Sequence, residues 1–398
     1  MFEKSLNPPQ SRIEWQLLLG LVGLMLVGAA FIFSAKPGGD ATSWYNQFFL
    51  RQVIWYGVGT GAAALVCLLD YRYLSRWSYL AYWVSVGLLV VVLVPGIGNS
   101  TMGARRWFNL GFFKLQPSEF AKLAFIFAMA HFLSRPHGEL REPSVFVRAL
   151  GLTILPFGLI LKEPDLGSSL VLLPVALVMM FVGGIPTRYL VRVVSVCTAL
   201  IFLLVVDVLF APKHLRLPLE EYQRHRLLVY FGKDFASPDA SPRERARSRA
   251  LQRERSYQVE QALITVGSGG LTGKGWCQGQ QISLGFLPPG ASHNDFIFSV
   301  IAEEKGFLGS LVVLSLYAVV LFSGIRIASQ ARDRLGKLLA VGVVTLLFSH
   351  VFVNIGMNIG LMPVTGIPLP FLSYGGSSVL SSLIAIGVLQ NVYLHHRS

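Results

Sequence analysis

Apolar residues in this chain fall into long continuous runs separated by short polar turns. They show neither the alternation of a half-buried strand nor the stripe of a surface helix. About ten such runs occur: 15–35, 48–69, 76–96, 117–134, 145–161, 166–184, 189–210, 296–325, 337–357 and 374–393. Runs near 20 residues are long enough to cross a hydrocarbon core about 30 Å thick. Continuous rather than alternating apolarity excludes a closed β-barrel. The expected fold is an all-α polytopic membrane protein with about ten transmembrane helices, forming a single domain over residues 1–398. The first run is too long for a signal-peptide core and lacks a small-x-small cleavage site, so it reads as the first transmembrane helix.

Composition agrees. Hydrophobic residues make up 53% of the chain and charged residues 14%, whereas an ordinary soluble domain carries about a quarter charged residues. Lys and Arg concentrate in alternate short loops, at Arg72, Arg76, Arg135, Arg141, Arg148, Arg188, Arg192, Arg326, Arg332, Arg334 and Lys337. By the positive-inside rule these loops and both termini are cytoplasmic. A large loop, 211–295, then lies outside between helices 7 and 8. The net charge of +13 reflects loop anchoring and this basic outer loop, and it implies no nucleic-acid partner.

The three cysteines are Cys67 and Cys197 within runs and Cys277 alone in the outer loop. No outer pair is available for a disulfide, and no metal-type Cys/His cluster exists. In the outer loop, the basic, Ser- and Pro-rich insert 233–256 reads as a flexible linker, with a helix formed only against a partner or lipid headgroups as the alternative. Residues 257–295 read as ordered and re-entrant. Their glycine-rich turn GSGGLTGKG lacks the spacing of a nucleotide P-loop and has Gly275 after the Lys. It reads as a tight turn, with backbone contacts to a lipid diphosphate as the alternative.

Ionisable groups inside membrane runs are costly and therefore candidates for function. Asp295 stands where a Pro-Pro-Gly turn enters the eighth run, as either a helix N-cap or a reactive carboxylate. Glu119 and Lys122 lie three apart on one helix face, as a buried neutral pair or a functional one. GARRW carries Arg105, Arg106 and Trp107, which could anchor headgroups at the interface. KEPDLG places Lys162, Glu163 and Asp165 at another outer turn. Glu303, Glu304 and Lys305 fall inside the eighth run. Gly57-x-x-x-Gly61 reads as a helix-packing motif.

Near the C-terminus, NIGMNIGLMPVTGIPLPFLSYGGSS spans Asn354 to Ser378. Together with GARRW, QPSEFAK, PDLG and HNDFIFSVIAEEKGFLG, it closely resembles the signature of the SEDS family, the RodA/FtsW/SpoVE proteins of bacterial wall synthesis, over essentially the whole chain. YQRHR (222–226), GSGGLTGKG and FLPPG look more like RodA than FtsW. Two features depart from the pattern: Lys305 stands where an apolar residue is expected, and the insert 233–256 is long.

The resemblance implies a peptidoglycan glycosyltransferase of the bacterial cytoplasmic membrane that polymerises lipid II on the outer face for cell elongation. Implied partners are a class B penicillin-binding protein, other elongation-complex proteins and membrane lipids. Asp295 matches the family's essential outer carboxylate. Arg105, Arg106, Trp107, Glu119, Lys122, Lys162, Asp165, Ser373 and Tyr374 are the expected substrate-binding positions. Sugar transfer on a face without ATP needs an activated donor, and a lipid diphosphate glycoside is one. A carboxylate in reach of the acceptor hydroxyl can act as general base. The departing diphosphate needs cations, from Arg105, Arg106, Lys122, Lys162 or a divalent ion such as magnesium or manganese. The competing readings are a lipid II flippase, a division-type, FtsW-like polymerase, and a scaffold without chemistry of its own.

Overall fold

The computed structural model describes residues 13–35, 47–95, 98–101, 104–109, 111, 114–211, 221–233, 235, 242–287 and 292–395. In chain order the elements are α1 (Trp15–Ser34), α2 (Gln47–Leu68), α3 (Tyr71–Arg76), α4 (Ser78–Leu93), β1 (Asn99–Thr101), β2 (Ala104–Asn109), β3 (Lys114–Leu115), α5 (Pro117–Leu133), α6 (His137–Leu140) and α7 (Pro143–Lys162). There follow α8 (Leu166–Gly183), α9 (Thr187–Phe210), α10 (Glu221–Tyr230), α11 (Pro242–Ser268), α12 (Gln280–Ser283), α13 (Ile297–Gln330), α14 (Arg334–Asn358) and α15 (Gly376–His395). A helix occupies each apolar run. Among the described residues, seven helices are long and apolar enough to cross a membrane: α1, α7, α8, α9, α13, α14 and α15.

Local chemistry explains several boundaries. Proline opens α5 and α7, where its missing N–H costs nothing. The Asp333 carboxylate accepts the Gly336 N–H at the start of α14, and Tyr71 donates to the same oxygen. Gly184, at φ 94°, ends α8 in the left-handed region. Helix α15 lies deepest, running along α2 and beside α14, while α14 packs on α13, α8 and α5. Close approach of α15 to α2 needs Gly59, where a Cβ would sit 2.4 Å from Leu383. The motif expectation fails here: a Cβ at Gly57 or Gly61 would meet nothing within 4 Å. Both lie on the far side of α2 from α15, so the packing glycine is the one between them.

Two outer segments differ from expectation. GARRW is not an isolated amphipathic segment. Its residues enter β2, the centre of a three-stranded antiparallel sheet that pairs Asn99 with Trp107 and Phe108 with Leu115. The insert 233–256 is not a linker throughout, because α11 runs through it from Pro242. Gln252 bridges the α10–α11 hairpin, accepting from Phe235 N–H at 3.2 Å and donating to the Lys233 carbonyl at 3.3 Å. Further along, Ala262 and Thr265 bury this helix against the bundle. The Pro-Pro-Gly turn lies outside the described residues.

The glycine-rich turn is structural. Gly306, at φ 63°, breaks α13, and the turn docks at the break. Lys274 and Gly275 N–H groups bond the Glu303 and Glu304 carbonyls at 3.0 Å each, while Gly270 and Leu271 carbonyls accept from Phe307 and Leu308. A Cβ at Gly269 would lie 1.9 Å from the Ala302 carbonyl oxygen, so only glycine fits. With those N–H groups spent, the turn cannot cradle a diphosphate. Lys305 is exposed, and the charge facing Glu303 comes from Lys274, at 2.7 Å.

Candidate active site

Asp295 sits in the turn just before α13, and that turn is held by its main chain. Asn354 and Asn358 of α14 each donate a side-chain N–H to the Asp295 carbonyl, at 3.0 and 3.1 Å. Ser373 donates to the Asn294 carbonyl at 2.6 Å, and the Tyr374 N–H donates to the His293 carbonyl at 2.8 Å. The carboxylate itself takes no hydrogen bond from the described residues. The N-cap of α13 is Phe296, without a side-chain cap bond. The capping alternative therefore fails, and the Asp295 carboxylate is left facing Gly366, whose added Cβ would lie 3.6 Å from Oδ2.

Burial raises the Asp295 carboxyl to about 6. Arg226 of α10 opposes that rise, Asp165 adds to it, and Arg106 opposes it. Among the basic residues suggested by the sequence, Arg106 therefore shares the field of Asp295. Arg226 was not among them.

The Asp165 segment shares the field of Asp295. Asp165 caps α8, accepting from Ser168 N–H at 3.1 Å, and it also accepts from Gln116 Nε2 at 3.0 Å. Arg106 projects from β2 and wraps the turn. It donates Nε to the Glu163 carbonyl at 3.0 Å and another nitrogen to the Pro164 carbonyl, and stands 3.9 Å from the Asp165 carboxylate. Glu163 is completely buried, and neither carboxyl oxygen has a partner among the described residues. Burial first and Asp165 second push it to about 9, against a counter-pull from Arg106. It is a neutral acid at pH 7.

Glu119 and Lys122 form a buried pair at 2.7 Å. Lys122 Nζ also lies 2.9 Å from His350 Nε2, which must accept because an ammonium only donates. Ser381 donates to the other Glu119 oxygen at 3.0 Å. These side chains tie α5 to α14 and α15, and they neutralise Lys122 internally.

Known proteins resemble this chain over nearly all of its length. A family model described as cell cycle protein, FTSW_RODA_SPOVE, matches residues 13–398. The chain belongs to the FtsW/RodA/SpoVE family. Within this SEDS family, stage V sporulation protein E of Bacillus subtilis is 37% identical, over 96% of this chain and 97% of that protein. The probable peptidoglycan glycosyltransferase FtsW of Geobacter metallireducens is 34% identical, over 96% and 94%. Peptidoglycan glycosyltransferase MrdB of Escherichia coli K12 is 32% identical, over 96% and 93%. A chain from a peptidoglycan synthase complex that coordinates polymerization and crosslinking superposes with a TM-score of 0.74 at 29% identity, covering 97% of this chain and 98% of that one. Rod shape determining protein RodA of Thermus thermophilus gives 0.65 at 29%, covering 98% of each.

The other expected SEDS positions divide by geometry. The Ser373 hydroxyl accepts from Leu369 N–H at 2.7 Å while donating to Asn294, so it is spent on positioning the Asp295 turn. Tyr374 remains partly open and packs edge-on against Phe48 and His293. Trp107 is partly buried on β2, and Lys162 is exposed at the end of α7 with no ion pair among the described residues. Arg105 belongs to β2, but its side chain lies outside the described set. Among the described residues no group of three His, Cys, Asp or Glu side chains could hold a metal. Arg226 escaped sequence reasoning because it sits in a polar stretch where several arginines look alike. Glu163 stood in the KEPDLG turn, and only the fold reveals its burial.

Proposed function

We propose that this SEDS protein is a peptidoglycan glycosyltransferase that polymerises lipid II on the outer face of the bacterial cytoplasmic membrane. The observation carrying this reading is Asp295: a carboxylate left free while its backbone is fixed, raised to about 6, in the field of Arg226 and Arg106. A base with that value is ionised at neutral pH yet basic enough to take a proton in the transition state.

The step follows. Asp295 takes the proton of the acceptor 4-hydroxyl as its oxygen forms a bond to the donor's anomeric carbon. The bond from that carbon to the diphosphate oxygen breaks, and its electron pair leaves with the polyprenyl diphosphate. Arg226 and Arg106 offset the developing charge. A single displacement inverts the anomeric centre. Neutral Glu163 keeps a second negative charge away from the leaving diphosphate.

Relatives named as peptidoglycan glycosyltransferases support the activity. The synthase-complex neighbour supports a class B penicillin-binding partner. An elongation role rests on YQRHR, GSGGLTGKG and FLPPG. Complementation of a rod-shape-deficient strain against a division-deficient one tests that role. For the activity itself, purified Asp295→Asn protein should fold and make no glycan from lipid II. Undiminished polymer would refute the assignment, and lipid II movement across vesicles without polymer would favour the flippase.

A further inference from the structure

Helix α8 begins at the Asp165 cap and ends at Gly184, and its 18 residues span about 27 Å. At the far end, on the opposite membrane face from Asp295, lies an open cavity of about 550 Å³. Arg141, Phe181, Gly184, Ile185, Pro186, Thr187 and Arg188 line it. Two arginines thus face one hollow, Arg141 from the turn after α6 and Arg188 from the first turn of α9. Neither has an ion pair among the described residues, although Glu139 and Glu142 share the Arg141 turn. The Glu142 carboxylate instead accepts from Ser144 at 3.1 Å. Arg188 is held in place over the Tyr189 ring, 4.9 Å from its centroid, and Tyr189 is itself stacked on Phe146.

Exposed apolar stripes continue from this cavity toward the membrane interior. Phe181 is 61% exposed at the cavity lip, and Val178 lies one turn below it on α8. Val191 and Val194 follow Arg188 down α9, a helix almost none of which is buried. A cationic hollow above two apolar stripes matches a molecule with an anionic head and hydrocarbon tails. A free phosphate uses only the hollow. Basic loops of this face are the ones that the charge bias assigns to the cytoplasm.

We propose that Arg141 and Arg188 hold the phosphodiester of an anionic phospholipid in this cavity, with its acyl chains along Phe181–Val178 and Val191–Val194. The site is separate from the wall-polymer site and does not depend on the activity assigned there. Arginine suits the role because its planar fork meets two phosphate oxygens at once. Basic side chains at a membrane surface favour anionic headgroups.

Native mass spectrometry of the full-length protein in detergent tests this, with phosphatidylglycerol and phosphatidylcholine as probes. Wild type should retain phosphatidylglycerol preferentially, and Arg141→Gln/Arg188→Gln should bind it about 30-fold more weakly. Arg332→Gln/Lys337→Gln removes the same charge from the same face and should keep the preference. Inorganic phosphate at millimolar concentration should not displace the lipid. Equal binding by the Arg141/Arg188 variant, equal loss in the Arg332/Lys337 control, or displacement by free phosphate would each overturn the proposal. Polymerisation by the Arg141/Arg188 variant in detergent should match wild type, which shows that the variant is folded.

Discussion

Asn354 donates its side-chain amide to the Asp295 carbonyl at 3.0 Å, across 59 residues of sequence, and does not touch the Asp295 carboxylate. The same amide bonds the Ile367 carbonyl at 2.7 Å. One buried side chain on α14 thus sets the distance between the carboxylate and the loop that faces it. The reactive group is oriented through its backbone, which leaves its charge available.

Asn354→Leu should therefore spare the bundle and misplace the base. A shift near 1 Å can cost about 10²-fold in rate. Polymerisation kinetics should show kcat falling by roughly that factor with KM little changed, while helical circular dichroism is retained. A fall confined to KM would contradict the positioning role.

The raised Asp295 carboxyl also predicts a stability signature. The folded protein holds this proton more tightly than the unfolded chain does. The group's contribution is therefore fully favourable below its ordinary value of 3.8 and is lost as pH rises through about 6. Asp295→Asn cannot ionise and escapes that loss. Thermal unfolding should show the variant more stable than wild type at about pH 8, with the gap closing toward about pH 4. Identical curves at both values would show that the carboxylate is not desolvated.

Glu163 makes a prediction on the alkaline side. It is neutral at pH 7 and ionises near 9, beside Asp165 and against Arg106. Wild-type activity should decline through that range. Glu163→Gln, similar in shape and always neutral, should keep full activity at pH 7 and lose the alkaline decline. A Gln variant inactive at pH 7 would mean that the acid proton itself is needed.

Much of this was legible in the chain. Each apolar run became a helix because a 20-residue apolar stretch in lipid satisfies its backbone only that way. Asp295 stood out as a charge at the mouth of such a run. What could not be read was pairing across sequence. Arg226 reaches the field of Asp295 over 69 positions. Lys122 looked like a substrate cation until His350 and Glu119 closed around it. Ser373 looked like a ligand-binding hydroxyl, and the fold spends it on Leu369 and Asn294. Gly57 and Gly61 had the motif, but the facing of α2 chose Gly59.

The Glu119–Lys122 pair is a buried ion pair, and breaking one side should cost about 3–5 kcal/mol. Glu119→Gln leaves Lys122 charged and buried, so thermal stability in detergent should drop sharply. Glu119→Gln/Lys122→Met removes both charges and should recover much of the loss. A double variant as unstable as the sum of its singles would show that the two residues do not interact.

The central claim is that Asp295 acts as the general base. Its most direct test is the pH dependence of kcat/KM for lipid II polymerisation by the purified protein, from about pH 5 to about pH 8. The account predicts a tenfold rise per pH unit on the acid side, bending to a plateau near 6. A profile flat through pH 6, or one that bends there equally in Asp295→Asn protein with residual activity, would contradict it.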